Sequence, residues 1–246
     1  MRLSLASVCA VVVVACGSIA SRQRVERKGE AGADEVLLTV TPFKDTAAVA
    51  VLLRADGESE VVRYSPAQLL VLEVRRGRAP EEALARLRAR AGASDFRSAL
   101  SRGEFGGGGF EDGDLFQLTL GPQGPAASGL LHKTPPVVQE FIKDLLSLEG
   151  RLGKARPAEA YLRGERIERR RLDALRRAGK VRLIPLDDFP ADLRPALTKA
   201  AEQPLRFQPL SRAQYDRLLT FSSHGPELFA TAGDAGHQLT LYQARP

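Results

Sequence analysis

An apolar run at the N-terminus, and the cysteine that follows it, constrain this chain more than any other feature of its sequence. After Arg2, residues 3–15 carry no charge, and the run ends at Cys16. It is shorter than the roughly 20 residues that a helix needs to span a membrane, and its length is typical of a signal peptide. The other cysteine, Cys9, lies inside the run, so residues 17–246 contain none. We therefore expect a folded part that is held by an apolar core, without disulfides, cysteine-ligated metals or a thiolate nucleophile.

The end of the apolar run carries a four-residue pattern. Residues 13–16, Val-Val-Ala-Cys, resemble the lipobox of bacterial lipoproteins. In that family a diacylglycerol is attached to the cysteine thiol and the chain is then cut before the cysteine. The resemblance implies a signal peptide at 1–15 and fatty acyl chains, such as palmitate, on Cys16. Gly17 follows, which in the enteric sorting pattern implies the outer membrane, so we expect an outer-membrane lipoprotein of the cell envelope that faces the periplasm or the cell surface.

The same region allows two other interpretations. Ser18, Ile19 and Ala20 form a small-x-small cleavage site, which would release a soluble secreted protein. Residues 3–21 are uncharged, so an uncleaved membrane anchor is the other alternative. Residues 16–33 are otherwise polar and charged without periodicity, which predicts a flexible tether after the lipidated cysteine.

The rest of the chain has the patterns of an α+β protein. A hydrophobic content of 43% is ordinary for a globular protein. We predict two small modules, at 34–150 and 157–246, in which antiparallel strands and hairpins pack with amphipathic helices. In the first module we expect strands at 36–41, 47–54, 60–64, 115–120 and 130–132, with an Asp56-Gly57 hairpin turn between the second and third. We expect helices at 65–77, 80–91, 94–100 and 136–148, although Val71 and Val74 in the first of these also fit a strand. In the second we expect helices at 157–178, 192–203 and 211–221, the last opened by a capping box of Ser211 and Gln214. We also expect strands at 181–186 and 205–207, and a closing β-hairpin at 227–243.

The strand and helix near the end of the first module suggest one functional alternative. Residues 114–120, Asp-Leu-Phe-Gln-Leu-Thr-Leu, and the amphipathic helix that follows them resemble the emfourin type of small protease inhibitor. The resemblance covers about a hundred residues and includes no specific motif. It implies that the protein is a periplasmic protease inhibitor.

A basic stretch is the most conspicuous charged feature. Residues 163–182 contain nine lysines and arginines and three acids. On a helix at 157–178, the spacings Glu159–Arg163, Glu165–Arg169 and Asp173–Arg177 would form i,i+4 pairs, as on an ordinary solvated helix face. The alternative is a surface for an anionic partner, either lipid headgroups or an envelope protein, made by Arg163, Arg166, Arg170, Arg176 and Lys180. Nucleic acid is not expected, because no aromatic side chain is interleaved for base stacking.

The remaining candidates for chemistry are isolated. His224 lies close to Glu227 in a loop, with Ser222 and Ser223 beside it, which makes a secreted or envelope hydrolase a further alternative. The three histidines, His132, His224 and His237, form neither HExxH nor any other close metal-ligand spacing, so no metal site or cofactor is expected. Other short motifs fit a turn or loop better than a site: the acids at 187–188 and 111–114, and the glycine run at 106–109. We expect a non-catalytic binding or structural protein.

Overall fold

The computed structural model describes residues 35–43, 47–106, 112–121, 126–178, 181–222 and 225–245. The expected signal peptide, Cys16 and the tether lie outside these residues. Within them, 13 strands form one mostly antiparallel sheet, accompanied by six α-helices. The mixed α/β class agrees with the sequence prediction, but the chain is richer in sheet than expected. None of the described helices is long and apolar enough to cross a membrane.

The first unit is built around a meander of four strands. Its seven strands follow the order β4-β3-β2-β1-β6-β7-β5, and each neighbouring pair is antiparallel except β5 with β7. Asp56 and Gly57 form the β2–β3 turn, as predicted, because Gly57 adopts a φ of 87° that an L side chain rarely allows. The bounds are β1 Glu35–Thr41, β2 Ala48–Arg54, β3 Glu58–Ser65, β4 Leu70–Arg78, β5 Glu104–Phe105, β6 Leu115–Leu120 and β7 Ala126–Leu130.

Three helices cover one face of this sheet. They are α1 (Glu81–Gly92), α2 (Ser94–Leu100) and α3 (Pro136–Leu146), and all three lie close to their predicted positions. Their apolar sides meet the sheet in a core that includes Leu38, Val51, Phe116, Leu87, Phe96 and Phe141. Two arginines of α1 also reach one carboxylate of α3, because Arg90 Nε and Arg86 Nε lie 3.1 and 3.3 Å from Asp144 Oδ2. The opposite face of the sheet carries no helix of this unit.

The second unit forms the other part of the same sheet and has its own core. Its strands follow the order β10-β12-β13-β9-β11, and helices α5 and α6 pack on one face with a core that includes Leu162, Leu197, Leu218 and Leu239. Helix α6 begins at the predicted capping box, in which Gln214 N donates to Ser211 Oγ at 3.2 Å and Ser211 N donates to Gln214 Oε1 at 3.0 Å. The bounds are β9 Ala160–Ile167, α4 Arg169–Ala178, β10 Leu183–Pro185, α5 Arg194–Glu202, β11 Phe207–Leu210, α6 Arg212–Leu219, β12 Glu227–Ala232 and β13 Ala235–Ala244.

The two units are joined by strand pairing and by an aromatic cluster. The end of β13 runs parallel to the start of β4, with Gln243 opposite Leu70, and a short strand β8 (Gly153–Ala155) pairs with the other half of β4. The helix-free face of the first sheet then packs against β9, β11 and β13. The rings at this junction belong to Tyr64, Tyr161, Phe207 and Tyr242, and the centroids of Tyr64 and Phe207 are 4.8 Å apart.

The predicted helix at 65–77 is wrong, because these residues form a tight turn and strand β4. Gln68 N does donate to Ser65 Oγ at 3.2 Å, as it would at a helix N-terminus. The chain then reverses at Leu69, where φ is 54°, instead of continuing as a helix. Val71 and Val74 are buried in the sheet junction, where β-branched side chains pack well.

The predicted helix at 157–178 is half wrong, because only its second half is helical. Residues 160–167 form β9, which is covered by α5 on one face and by the aromatic cluster on the other. A strand that is buried on both faces loses the alternation of apolar and polar residues, so its pattern resembles that of a helix. Glu159–Arg163 and Glu165–Arg169 are therefore not neighbours on a helix face. Smaller differences are that β7 ends at Leu130, before a 3₁₀ turn at 131–133, and that β11 lies two residues later than predicted.

Candidate functional site

A cleft of about 360 Å³ lies between the two units, and it is the candidate site that the fold presents. One side is the helix-free face of the first sheet, and the other is the segment that leads from α5 into β11. The cleft is lined by Leu37, Ala50, Leu52, Arg54, Glu58, Ser59, Glu60, Val62, Arg76, Lys199, Gln203, Leu205, Arg206, Phe207, Gln208 and Pro209.

The floor of the cleft is apolar. Leu37 of β1 lies opposite Leu52 of β2 in the antiparallel register, and Ala50 of β2 lies opposite Val62 of β3. Successive side chains of a strand point to opposite faces, so these residues share the face that the helices leave uncovered. Strands with apolar residues on both faces thus supply the helix-covered core on one side and this floor on the other.

The wall of the cleft is a short segment with an unusual backbone. Leu205 has a φ of 69°, which is uncommon for a residue with a bulky side chain. Its amide donates to Gly164 O at 2.7 Å, which ties the segment to β9 just before β11 begins. Gly164 has to be a glycine here because an added Cβ would overlap the carbonyl oxygen of Ala200 in α5. The wall is therefore held by both α5 and β9.

An ion pair crosses from this wall to the first unit. The guanidinium of Arg206 contacts the carboxylate of Glu35 at the start of β1, and the side chain of Arg206 is only 13% exposed. Arg206 Nη1 also donates to Gln203 Oε1 at 2.8 Å. Burial lowers the pKa of Arg206, yet a guanidinium stays protonated at neutral pH. The pair fixes the wall relative to β1.

The mouth of the cleft is charged and mostly basic. Arg76 of β4 pairs with Glu60 of β3 across the strands. Arg54 and Lys199 are exposed and come from different units, and neither takes part in an ion pair with another described residue. Glu58 is the remaining acid of the lining. Two basic groups are thus left for a ligand, against one acid.

An arginine that contacts two aromatic rings lies beside the cleft. The Cζ atom of Arg163 is 5.6 Å from the centroid of Tyr64 and 5.9 Å from that of Phe207, distances at which a cation is attracted by a ring face. Burial raises the pKa of Tyr242, which lies in the same cluster, to about 12. Burial also raises the pKa of Tyr161, whose hydroxyl accepts a hydrogen bond of 2.8 Å from the Ala158 amide. Phe207 belongs to both the cluster and the cleft wall, so the two are mechanically connected.

The residues of the predicted anionic-partner surface do not share one helix. Arg163 and Arg166 both lie on β9, and their odd separation places them on opposite faces of the sheet. Arg166 is exposed, whereas Arg163 is half-buried against the rings. Arg170 and Arg176 belong to α4, and Lys180 lies outside the described residues. Binding of an anionic partner by this set stays a prediction.

The other sequence candidates lie partly outside the described residues. His224 and Ser223 lie outside the described residues, and Ser222 Oγ donates to the Glu227 carbonyl at 2.8 Å, so the hydrolase alternative stays a prediction. Asp187 and Asp188 are exposed in a 3₁₀ turn. Asp114 accepts a hydrogen bond of 3.1 Å from Phe43 N, while residues 107–111 lie outside the described part. Among the described residues, no group of three or more histidine, cysteine, aspartate or glutamate side chains could hold a metal ion.

The cleft itself was missed at the sequence level. Its two sides lie more than a hundred residues apart in the chain, and no local motif marks either of them. The one usable signal was strand β2, whose unbroken apolar run indicates burial on both faces. No family model, curated protein or solved structure matches this chain. The inhibitor alternative therefore rests only on the resemblance of β6 and α3, and it stays a prediction.

Proposed function

We propose that this protein is a lipid-anchored binding protein of the cell envelope that holds its ligand in the cleft between the two units and catalyses no reaction. The observation that carries the proposal is the cleft itself, with an apolar floor, a fixed wall and a charged mouth. Ligand sites in proteins are typically concave and apolar, with a few polar groups at chosen points.

The proposed anchor lies at the N-terminal end of the folded part. The sequence Val-Val-Ala-Cys at 13–16 is the support for lipidation of Cys16, and the polar residues that follow it would connect the acyl chains to β1. The first described residue, Glu35, is held by Arg206 of the cleft wall. A ligand in the cleft would thus lie beside the point at which the tether enters the fold.

Lipidation is tested by metabolic labelling. Cells that produce the full chain are grown with labelled palmitate, and the protein is isolated and analysed for incorporated label. We expect label in the wild-type chain and none in Cys16→Ser, whereas Cys9→Ser should keep a normal level. Label in the Cys16→Ser variant, or none in the wild type, would overturn the anchor.

Ligand binding in the cleft is tested by filling it. The small-molecule fraction of an envelope extract is added to purified residues 17–246, which lack the apolar leader and the lipidated cysteine, and the change in melting temperature is measured. We expect a rise for the parent chain and none for a Leu52→Trp variant, because the indole would occupy the cleft floor. Ala85→Trp adds the same indole on the exposed side of α1, away from the cleft, and should keep the rise. If the extract raised the melting temperature of both tryptophan variants equally, the ligand would not bind in the cleft and the proposal would be overturned.

A further inference from the structure

We infer that the cleft binds an amphipathic anion, a small molecule with one acidic group on an apolar body. This inference rests on the proposed function, since it names the ligand class of the same cleft. Three properties of the cleft support it: the charge left at its mouth, the apolar floor and the limited volume.

The charge at the mouth favours an anion. Four cations line the cleft, and two of them are already paired, Arg76 with Glu60 and Arg206 with Glu35. The two that remain, Arg54 and Lys199, come from the end of β2 and from α5, one from each unit. A carboxylate, phosphate or sulfonate at the mouth would gain charge-assisted hydrogen bonds from these side chains. The single remaining acid, Glu58, does not offset both of them.

The floor favours an apolar body attached to that acidic group. Leu37, Leu52 and Val62 come from three neighbouring strands, and Leu205 and Phe207 face them from the wall. Removing apolar ligand surface from water against such residues stabilises the complex by roughly 25 cal/mol per Å². The volume of about 360 Å³ lies near the lower limit of small-molecule sites, so the body is about the size of two fused rings or a short acyl chain.

An extended peptide is the main competing ligand, and the wall disfavours it. Strand β11 pairs only with β9 among the described strands, so its other edge is open to an added strand. However, Pro209 lies in the middle of β11 and has no amide hydrogen to donate. A proline in an edge strand is one of the features by which proteins prevent strand addition. The cleft is therefore better suited to a compact ligand than to a peptide that would pair with β11 as an added strand.

Two fluorescent probes separate the contribution of charge from that of apolar burial. Anilinonaphthalene sulfonate carries an acidic group on an aromatic body, and N-phenylnaphthylamine has nearly the same body without the charge. Each is titrated at low ionic strength into purified residues 17–246, which lack the apolar leader and the lipidated cysteine, and the fluorescence gain gives the stoichiometry and Kd. We expect one site per chain and at least about tenfold tighter binding of the sulfonate.

Charge-neutralising variants assign that difference to the cleft mouth. In the double variant Arg54→Gln, Lys199→Gln, we expect about a tenfold loss of affinity for the sulfonate and less than about twofold for the neutral probe. Both side chains are exposed, so the variant should fold normally. The matched control is Arg102→Gln, Lys143→Gln, which removes the same charges from exposed positions elsewhere in the first unit and should change neither affinity.

The outcomes distinguish the inference from the proposed function. If both probes bind equally tightly and both lose binding in Leu52→Trp, cleft binding stands and the preference for an anion is overturned. If Leu52→Trp keeps both affinities, or neither probe binds the parent chain, both the inference and the cleft proposal are overturned. An equal loss of sulfonate affinity in the control double variant would also overturn the inference, because the effect would then come from net charge alone.

Discussion

The guanidinium of Arg163, on β9, lies 5.6 Å from the ring centroid of Tyr64, on β3, and this contact joins the two units. Arg163 takes part in none of the ion pairs among the described residues, and its Nε donates a long hydrogen bond of 3.4 Å to the Leu205 carbonyl. The electrostatic partners of this half-buried cation are thus mainly aromatic side chains, the rings of Tyr64 and Phe207 and the hydroxyl of Tyr242, and the charge of Glu165 adds to them. Burying the guanidinium of Arg163 at this junction would cost free energy if the aromatic rings did not stabilise its charge.

We expect Arg163→Met to lower the free energy of unfolding by about 1–2 kcal/mol, because the thioether keeps most of the side-chain volume and loses the attraction to the rings. Denaturation by urea, followed by circular dichroism, measures the change. The matched control is Arg166→Met, an exposed side chain near the end of the same strand, which should change stability by less than about 0.5 kcal/mol. Equal losses in the two variants would show that the rings contribute nothing specific.

The ion pair between Glu35 and Arg206 is expected to be cooperative. A double-mutant cycle with Glu35→Gln and Arg206→Gln should give a coupling energy of about 1 kcal/mol at low salt, which shrinks as salt is added. The reason is that the pair is mostly shielded from solvent, with side chains 25% and 13% exposed. Breaking it also leaves one charge poorly solvated.

The exposed pair Arg212–Asp216 provides the comparison for that cycle. Its side chains are 56% and 53% exposed, and it spans one turn of α6. Its coupling energy should be no more than about 0.5 kcal/mol. If the coupling energy of Glu35 and Arg206 were no larger than that of Arg212 and Asp216, the Glu35–Arg206 pair would not hold the cleft wall in place.

Where turn and cap chemistry is local, the fold could be predicted from the sequence. The Asp56-Gly57 turn and the Ser211–Gln214 capping box each specify a hydrogen-bonded geometry within four residues, and both formed where they were predicted. Strand β6 was equally clear, because its apolar residues alternate and it has one covered face. These elements depend little on what the rest of the chain does.

Elements whose burial comes from distant segments were not predictable. The pattern of residues 160–167 favours a helix because both faces of β9 are buried. The strands that pair with β9, β11 and β13, lie about 40 and 70 residues further along the chain. The cleft has the same difficulty, since Leu37 and Phe207 meet only after both units have folded. Arg163 shows the consequence for function, because its charge predicted a solvated surface and the fold placed it against aromatic rings.

His237 makes stability depend on pH. Burial, with a smaller contribution from the charge of Arg166, lowers the pKa of this side chain below its ordinary value. Its exposed fraction is 5%, and Nδ1 has no hydrogen-bond partner among the described residues. Because the unfolded chain binds this proton more readily, with a pKa of about 6.5, the free energy of unfolding should be constant above about pH 7 and fall as the pH drops through about 6.5.

The measurement is a set of urea denaturation curves between about pH 7.5 and 5.5, a window above the range in which most carboxylates titrate. His237→Gln should flatten the decline, whatever its effect on stability at neutral pH. His132→Gln, at an exposed position, should keep the wild-type slope. An unchanged slope in His237→Gln would assign the decline to other groups.

Gly164 sets how closely α5 approaches β9, and through α5 it positions Lys199 and Gln203 at the cleft. A Cβ atom at this position would overlap the carbonyl oxygen of Ala200, which is backbone and cannot rotate away. Gly164→Ala should therefore lower the free energy of unfolding by about 2–3 kcal/mol, since α5 must move to make room. The same movement should weaken binding of anilinonaphthalene sulfonate, because the wall of the cleft moves with the helix.

The matched control is Gly92→Ala, at the exposed end of α1, where an added Cβ meets no atom within 4 Å. Alanine is favoured over glycine in a helix, so this variant should gain up to about 1 kcal/mol. Its probe affinity should be unchanged, because α1 lies on the opposite face of the first sheet from the cleft. If Gly164→Ala lost stability but kept full sulfonate affinity, the position of α5 would matter for folding and not for the ligand. The anion would then be bound by Arg54 of β2 without Lys199 of α5.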